Sequence, residues 1–218
     1  MTFNSIIQGY DGPAALPLSL KFYGASDYAT MEVEHGKKEP DFTEHGIIGV
    51  DRIGDWWFTD WYFKQCETDV GIANFIRLVG FWKPLRWWNE GGLIDKAIGP
   101  SIRSEMRRKQ KFTVMESLPS IDDKSMKLQA FHARAHARTI HMPLRRKWAD
   151  RLIDQLCKFP GGKHDDGADV CGLLGRGIDK MTDASLPSKP QKDILVPFTE
   201  RWLMANDKPD QPPVRYFS

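Results

Sequence analysis

The sequence predicts an α/β fold, with a mixed sheet that opens as an antiparallel three-strand meander, continues with parallel strands and is flanked by helices. Three observations carry this. Three strand-like runs come first, at Leu20 to Ala25, Gly46 to Asp51 and the aromatic-dense Trp56 to Phe63. Runs with helical spacing then alternate with short apolar runs, the order expected when parallel strands are joined by helices. With 218 residues, 41% hydrophobic and 11% aromatic, the chain can bury one substantial core and is short for two ordinary domains.

The Gly/Pro-bearing stretch Gly9 to Pro17 reads as a linker, so residues 1–19 are taken as a lead. The first strand ends at Asp27. Met31 to His45, charged and broken by Gly36 and Pro40, reads as a loop, and Arg52 to Asp55 as the turn between the second and third strands. From Thr68, a plausible N-cap, Val70, Ala73, Ile76 and Val79 recur at helical spacing up to Trp82. Pro84 to Asn89 reads as a buried strand, Leu93 to Gln110 as a helix interrupted near Gly99-Pro100, and Phe112 to Leu118 as another strand. Asp122 to Ala137 is helical, Thr139 to Met142 a short strand, Leu144 to Cys157 an amphipathic helix. A last helix runs from about Asp165 to Lys180 after the Gly161-Gly162 break. The domain is thus expected over 20–182, with 183–218 a Pro-rich tail holding at most a short helix near Phe198 to Met204.

Charge and cysteine usage exclude some classes. The net charge is only +2, yet basic residues dominate between Ile102 and Arg151, a surface that a polyanion could bind. Cys66, Cys157 and Cys171 are odd in number and form no CxxC pair, which argues against a disulfide framework and a zinc module and fits a reducing cytoplasm. No segment is apolar for long enough to span a membrane, and no export signal leads the chain. His132 and His136 are spaced i, i+4, but no HExxH pattern or completing acid accompanies them, so they, Arg134 and Arg138 read as facing DNA or water.

The chemistry-bearing residues are acids. Hydrolysis of a phosphodiester on two metals needs carboxylates that converge from separate elements, so that two hard cations sit roughly 3.5–4 Å apart. Asp27 closes the first strand, on the face of Tyr23 and Ala25. Glu90 closes the strand after the first long helix, at the sheet edge where ligand crevices form. Asp165, Asp166 and Asp169 open the last helix, at spacings that let one helical face carry two or more carboxylates. A single Asp there is explained by capping and the helix dipole. Three acids packed after Gly161-Gly162-Lys163-His164 exceed that need, and their mutual repulsion calls for a cation.

These motifs carry a resemblance. YGASDYAT at Tyr23 to Thr30, EPDFTEHGIIGVD at Glu39 to Asp51, RWWNEGG at Arg86 to Gly92 and LCKFPGGKHDDGADV at Leu156 to Val170 resemble, in order and spacing, the motifs of the C-terminal nuclease domain of tailed-phage terminase large subunits. The likeness covers about Leu20 to Asp179, and HDDGxD after FPGGK is its most specific piece. It implies a ribonuclease H-like fold and an endonuclease that cuts double-stranded viral DNA during packaging with two Mg²⁺ or Mn²⁺ ions. It also implies metal-binding acids at Asp27, Glu90 and Asp165 or Asp166 with Asp169. The partners it implies are the terminase small subunit, the portal and an ATPase domain. Lys124 resembles a lysine of that family, and with Arg134, Arg138, Arg145, Arg146 and Lys163 is a candidate contact to DNA phosphate. No GxxxxGK[ST] loop is present, so Met1 begins either an excised domain or a stand-alone nuclease gene. Two rival readings share these residues: a catalytically silent module that docks DNA or assembles a packaging motor, and a cellular junction-resolving nuclease on the same fold.

Overall fold

The computed structural model describes residues 7–11, 15–29, 42–162 and 165–183. In chain order these form β1 (Gln8–Tyr10), β2 (Lys21–Asp27), β3 (Thr43–Val50), β4 (Trp56–Lys64), α1 (Thr68–Trp82), β5 (Arg86–Glu90), α2 (Leu93–Lys109), β6 (Val114–Leu118), α3 (Lys124–His136), β7 (Ile140–Pro143), α4 (Lys147–Lys158) and α5 (Asp166–Asp183). The strands make one seven-stranded sheet in the order β1-β7-β4-β3-β2-β5-β6. β2, β3 and β4 pair antiparallel as the expected meander, and β5 joins β2, β6 joins β5 and β7 joins β4 in parallel. The mixed α/β architecture expected from sequence is therefore the observed one.

Both sheet faces are covered, because neighbouring residues of each strand point to opposite sides. On one face Ile47 and Trp87 pack against α1 and α2 through Phe75, Leu78, Ile102 and Met106. On the other face Tyr23, Ala25, Ile48 and Trp88 pack against α3, α4 and α5 through Phe131, Leu152, Val170 and Leu174. A bulge at Thr59, whose hydroxyl donates to the Ile47 carbonyl at 3.2 Å, sets Phe58 opposite Ile48 and Asp60 opposite Ile47. Through that extra residue Phe58 and Trp61, three apart, reach the same core.

Some details depart from the sequence expectation. The stretch expected as a linker carries β1, which pairs with β7 as Gly9↔Met142 and Tyr10↔Pro143. A three-residue strand has too little pattern to be read from composition. β3 starts at Thr43 and not Gly46, since Thr43, Glu44 and His45 are buried polar residues that read as loop. α2 runs unbroken through Pro100; Gly99 before it has no Cβ to meet the proline ring, which relaxes the usual restriction. Glu67 is the N-cap of α1 and makes no side-chain cap bond, so Thr68 lies inside the helix. The Pro-rich tail, with the stretch near Phe198 to Met204, lies outside the described residues.

His45 shows how these polar residues are accommodated. Its Nδ1 lies 2.8 Å from Ser26 Oγ and its Nε2 3.0 Å from the Gly71 carbonyl oxygen, while Trp87 Nε1 donates to the same Ser26 oxygen at 2.8 Å. Burial, only partly opposed by these backbone hydrogen bonds, lowers its pKa from 6.5 to about 4. The unfolded chain binds the proton at the higher value and the folded one at the lower, so this contribution is complete above 6.5 and is lost as pH falls toward 4. His45→Gln should flatten the acid limb of a plot of melting temperature against pH in that window. Parallel curves for the two proteins would show that His45 does not titrate on unfolding.

Candidate functional site

The parallel register of β2 and β5 runs Ala25↔Trp88 and Ser26↔Asn89, so the two strands end side by side at Asp27 and Glu90. Tyr23, Ala25 and Trp88 belong to the core under α3 and α5, and alternation puts Asp27 and Glu90 on that same face. The start of α5 comes to this edge with Asp166 and Asp169 in its first turn. Four acids from three elements thus share one end of the sheet. Asp165 sits just before the helix, where its carbonyl accepts from Asp169 N–H at 3.0 Å.

Their electrostatics mark the convergence. Asp27 has its pKa raised well above the usual carboxylate range, first by burial and then by the charges of Asp169, Asp166 and Glu90. Asp169 is raised chiefly by burial, with Asp165 and Glu90 adding to it and Lys127 opposing. Glu90 goes the other way: burial pushes it up, but the hydrogen bond from Ser120 at 2.8 Å and the charge of Lys127 prevail and lower it.

Lys127, on α3, is the centre of the cluster. Its ammonium lies 3.2 Å from Glu90 Oε1 and 3.5 Å from Asp169 Oδ1. Burial alone would lower its pKa, but Asp169, Glu90 and Asp27 together raise it. The helix that carries it is anchored by Asp123, whose Oδ1 accepts from Ser125 N at 2.8 Å and Met126 N at 3.1 Å. It also lies hard against α5: a Cβ on Gly172 would fall 2.7 Å from the Lys127 carbonyl oxygen, so only glycine permits this approach. Arg176, one helical face along from Asp169, donates to the Pro119 carbonyl at 2.8 Å and closes a small cleft lined by Glu90, Lys127, Asp169, Gly172 and Leu173.

A second polar group supports the start of α5 from behind. Asp27 and Glu44 are directly paired across β2 and β3. Glu44 is fully buried and accepts from Trp61 Nε1 at 2.8 Å and from Arg151 at 3.0 Å. Burial raises its pKa against the hydrogen bonds from Trp61, Gln155 and Arg151. A Cβ on Gly167 would fall 3.0 Å from Glu44 Oε2 and 2.3 Å from Gln155 Oε1, so the first turn of α5 is seated on this pair.

Of the residues expected from sequence, Asp27, Glu90, Asp166 and Asp169 come together, with Asp165 beside them. A lysine at the centre is Lys127; Lys124 begins α3 one turn earlier, and its side chain is outside the described residues. Lys163 and His164 are outside them too. Arg134 is engaged within the fold: it bonds the Gly54 carbonyl at 3.3 Å and Asp179 at 3.2 Å and covers the Trp56 ring at 4.6 Å. It and Arg138 lie at the end of the sheet where β4 and β7 begin, about 20 Å along the strands from Asp27. Arg145 and Arg146 are exposed in the turn before α4. His141 bonds Asp55 at 2.9 Å and stacks on Trp57. Glu44, Lys127, Arg151 and Arg176 were missed. Glu44 was legible in one respect, since period-two alternation back from Ile48 and Gly46 puts it on the core face once the strand is extended.

The donors at the cluster are all carboxylate oxygens, the chemistry that suits a hard divalent cation. Among the described residues no three His, Cys, Asp or Glu side chains are drawn together tightly enough to chelate as they stand. Lys127 instead bridges Glu90 and Asp169 as the neutralising cation. A set of acids that requires a positive charge, and already holds one, fits a metal ion once the flexible ammonium yields its place.

No protein-family model matches the sequence, and no curated protein matches it. Solved structures do. The magnesium-bound large terminase nuclease from thermophilic phage G20c superposes with a TM-score of 0.54 at 12% identity, over 80% of this chain and 94% of that one. The large terminase nuclease domain of Thermus phage P74-26 gives 0.53 at 11% identity, over 78% and 90%. The human cytomegalovirus terminase nuclease domain, soaked in manganese with an inhibitor bound, gives 0.50 at 9% identity, over 73% and 82%. The sheet, covered on both faces by helices, is thus similar in fold to the large-terminase nuclease domains.

Proposed function

We propose that this chain is a divalent-metal-dependent endonuclease that cuts double-stranded DNA during phage genome packaging. The observation that carries the reading is the convergence of Asp27, Glu90, Asp166 and Asp169 at one end of the sheet, with Lys127 between Glu90 and Asp169. The structural neighbours support it, being nuclease domains in structures with magnesium or manganese. Asp27, Glu90, Asp169 and Asp166, with Asp165 alongside, are the residues to hold two Mg²⁺ or Mn²⁺ ions. When bound, such ions supply Lewis acidity toward water and phosphoryl oxygen. The chain's own part is to gather the carboxylates before substrate arrives and to place Lys127 and Arg176 where a phosphate's charge needs balancing. Arg145, Arg146, Lys124 and Lys163 remain candidate contacts to the DNA backbone. On this reading the partners are the terminase small subunit, the portal and an ATPase domain, and the place of action is the cytoplasm of a bacterial host. Among the described residues no helix is long and apolar enough to cross a membrane.

Supercoiled plasmid tests this. With Mn²⁺ the native chain should nick or linearise it, chelator should stop the reaction, and Asp169→Asn should leave the plasmid intact. If the native chain binds DNA yet spares plasmid with both Mn²⁺ and Mg²⁺, the silent docking module becomes the better account.

A further inference from the structure

The groove between α2 and the edge strand β6 lies on the face of the sheet away from the carboxylates and has a volume of about 500 Å³. Lys96 and Arg103 of α2 form one wall, Ser117 of β6 and Thr113 just before it the other, and Asn89 of β5 closes one end. No carboxylate lines it. Lys96 and Arg103 are two helical turns apart and so share a face of α2, about 10 Å from one another along the axis. That separation is the rise of roughly three nucleotides along one strand of B-form DNA. The Arg103 guanidinium lies back along the helix, 3.2 Å from where a Cβ on Gly99 would be, which turns it toward Lys96. Among the described residues no acid pairs with either, whereas Arg108 on the same helix is engaged by Glu105 at 2.6 Å.

The position of the groove matters as much as its charge. Asn89 and Ser117 are paired, and the next pair along the two strands is Glu90 and Leu118. Since successive residues face opposite sides of the sheet, the closed end of the groove and the acid cluster are back to back across the ends of β5 and β6. Among the described residues β6 is the edge strand of the sheet, with no neighbour beyond it. A backbone held at Glu90 therefore has a short way round this edge into the groove.

We propose that the groove between α2 and β6 binds the sugar-phosphate backbone of the DNA strand flanking the cut, with Lys96 and Arg103 as its phosphate contacts. It rests on the nuclease reading above and adds to it a second contact on the opposite face of the sheet. Contacts of positive charge to phosphate carry no base information, so such a track holds any sequence.

The test uses the full chain and a duplex of arbitrary sequence, with chelator present so that nothing is cut, and reads affinity by fluorescence anisotropy over a range of salt. Lys96→Ala/Arg103→Ala is compared with Lys21→Ala/Arg52→Ala, which removes the same charge from exposed positions at the far end of the sheet. Loss of two phosphate contacts should lower the salt slope by about 1.8 and weaken binding more than tenfold at about 0.1 M salt. The far-end pair should bind as the native chain does. With Mn²⁺ added, the groove variant should cleave with raised KM and unchanged kcat. A slope equal to that of the native chain, or an equal loss in both double variants, overturns the proposal. Lys96→Gln/Arg103→Gln repeats the measurement should the alanine pair fold poorly. The two readings fail separately. A native chain that binds through Lys96 and Arg103 but never cuts leaves the groove standing without the nuclease; one that cuts while the groove variant binds normally leaves the nuclease without the groove.

Discussion

Asp27→Asn is expected to reduce metal-dependent cleavage by more than about 100-fold, because changes merely to groups behind a metal ligand already cost 10- to 100-fold. The same substitution should leave the metal-free protein at least as stable as the native one. The Asp27 carboxylate is held among Asp169, Asp166 and Glu90, and its pKa is raised well above the ordinary 3.8. The folded state thus binds a proton that the unfolded state has released. Stability from this group is present below 3.8 and is lost as pH rises through the elevated folded value. Asparagine has no titratable proton to lose, so the variant should lack this decline. Saturating Mn²⁺ should in turn raise the native melting temperature, since a ligand at 100 times its Kd adds about 2.7 kcal/mol, and should raise that of the variant much less. Equal cleavage by both proteins, or an equal Mn²⁺ shift, would remove Asp27 from the metal site.

Arg151→Ala should produce the largest loss of stability. Glu44 is fully buried and Arg151 is the cation against it, at 3.0 Å. The guanidinium also lies 3.7 Å over the Phe63 ring and 4.5 Å over Phe42. Alanine strands the carboxylate and strips the rings, and removing one partner of a buried pair costs about 3–5 kcal/mol. Part of Arg151 reaches solvent, so the lower figure applies, which for a domain of this size lowers the melting temperature by about 6–12 °C. Cleavage should fall as well, because the first turn of α5, with Asp166 and Asp169, rests on Glu44 and Gln155 through Gly167. Glu44→Gln/Arg151→Met, which removes both charges and keeps the bulk, should recover much of the stability. A single variant that melts within about 1 °C of native would mean that the pair does not hold the helix.

Local pattern carried a good deal of this protein. The meander shows in aromatic and β-branched runs around one tight turn, and the helices show in apolar spacing, because both depend on residues close in sequence. The acids at Asp27, Glu90 and the start of α5 were legible as ends of elements, where open sheets and helix termini place functional groups. Pattern failed where polar residues are buried. Thr43, Glu44 and His45 read as loop, yet they form the start of β3, because Trp61, Arg151, Ser26 and Gly71 from elsewhere satisfy them.

Charge was the poorest guide to role. Arg134 and Lys127 lie in one basic run and on one helix, and nothing local separates them. One caps a tryptophan and pairs with Asp179, while the other is drawn between Glu90 and Asp169. By itself, then, the sequence determined the order of elements and which acids close them, since those follow from spacing along the chain. Only the tertiary structure decided which cation those acids surround and what supports them from behind. A Coulomb interaction depends on distance through space, and packing alone sets the distance between residues as remote in sequence as Asp27, Lys127 and Asp169.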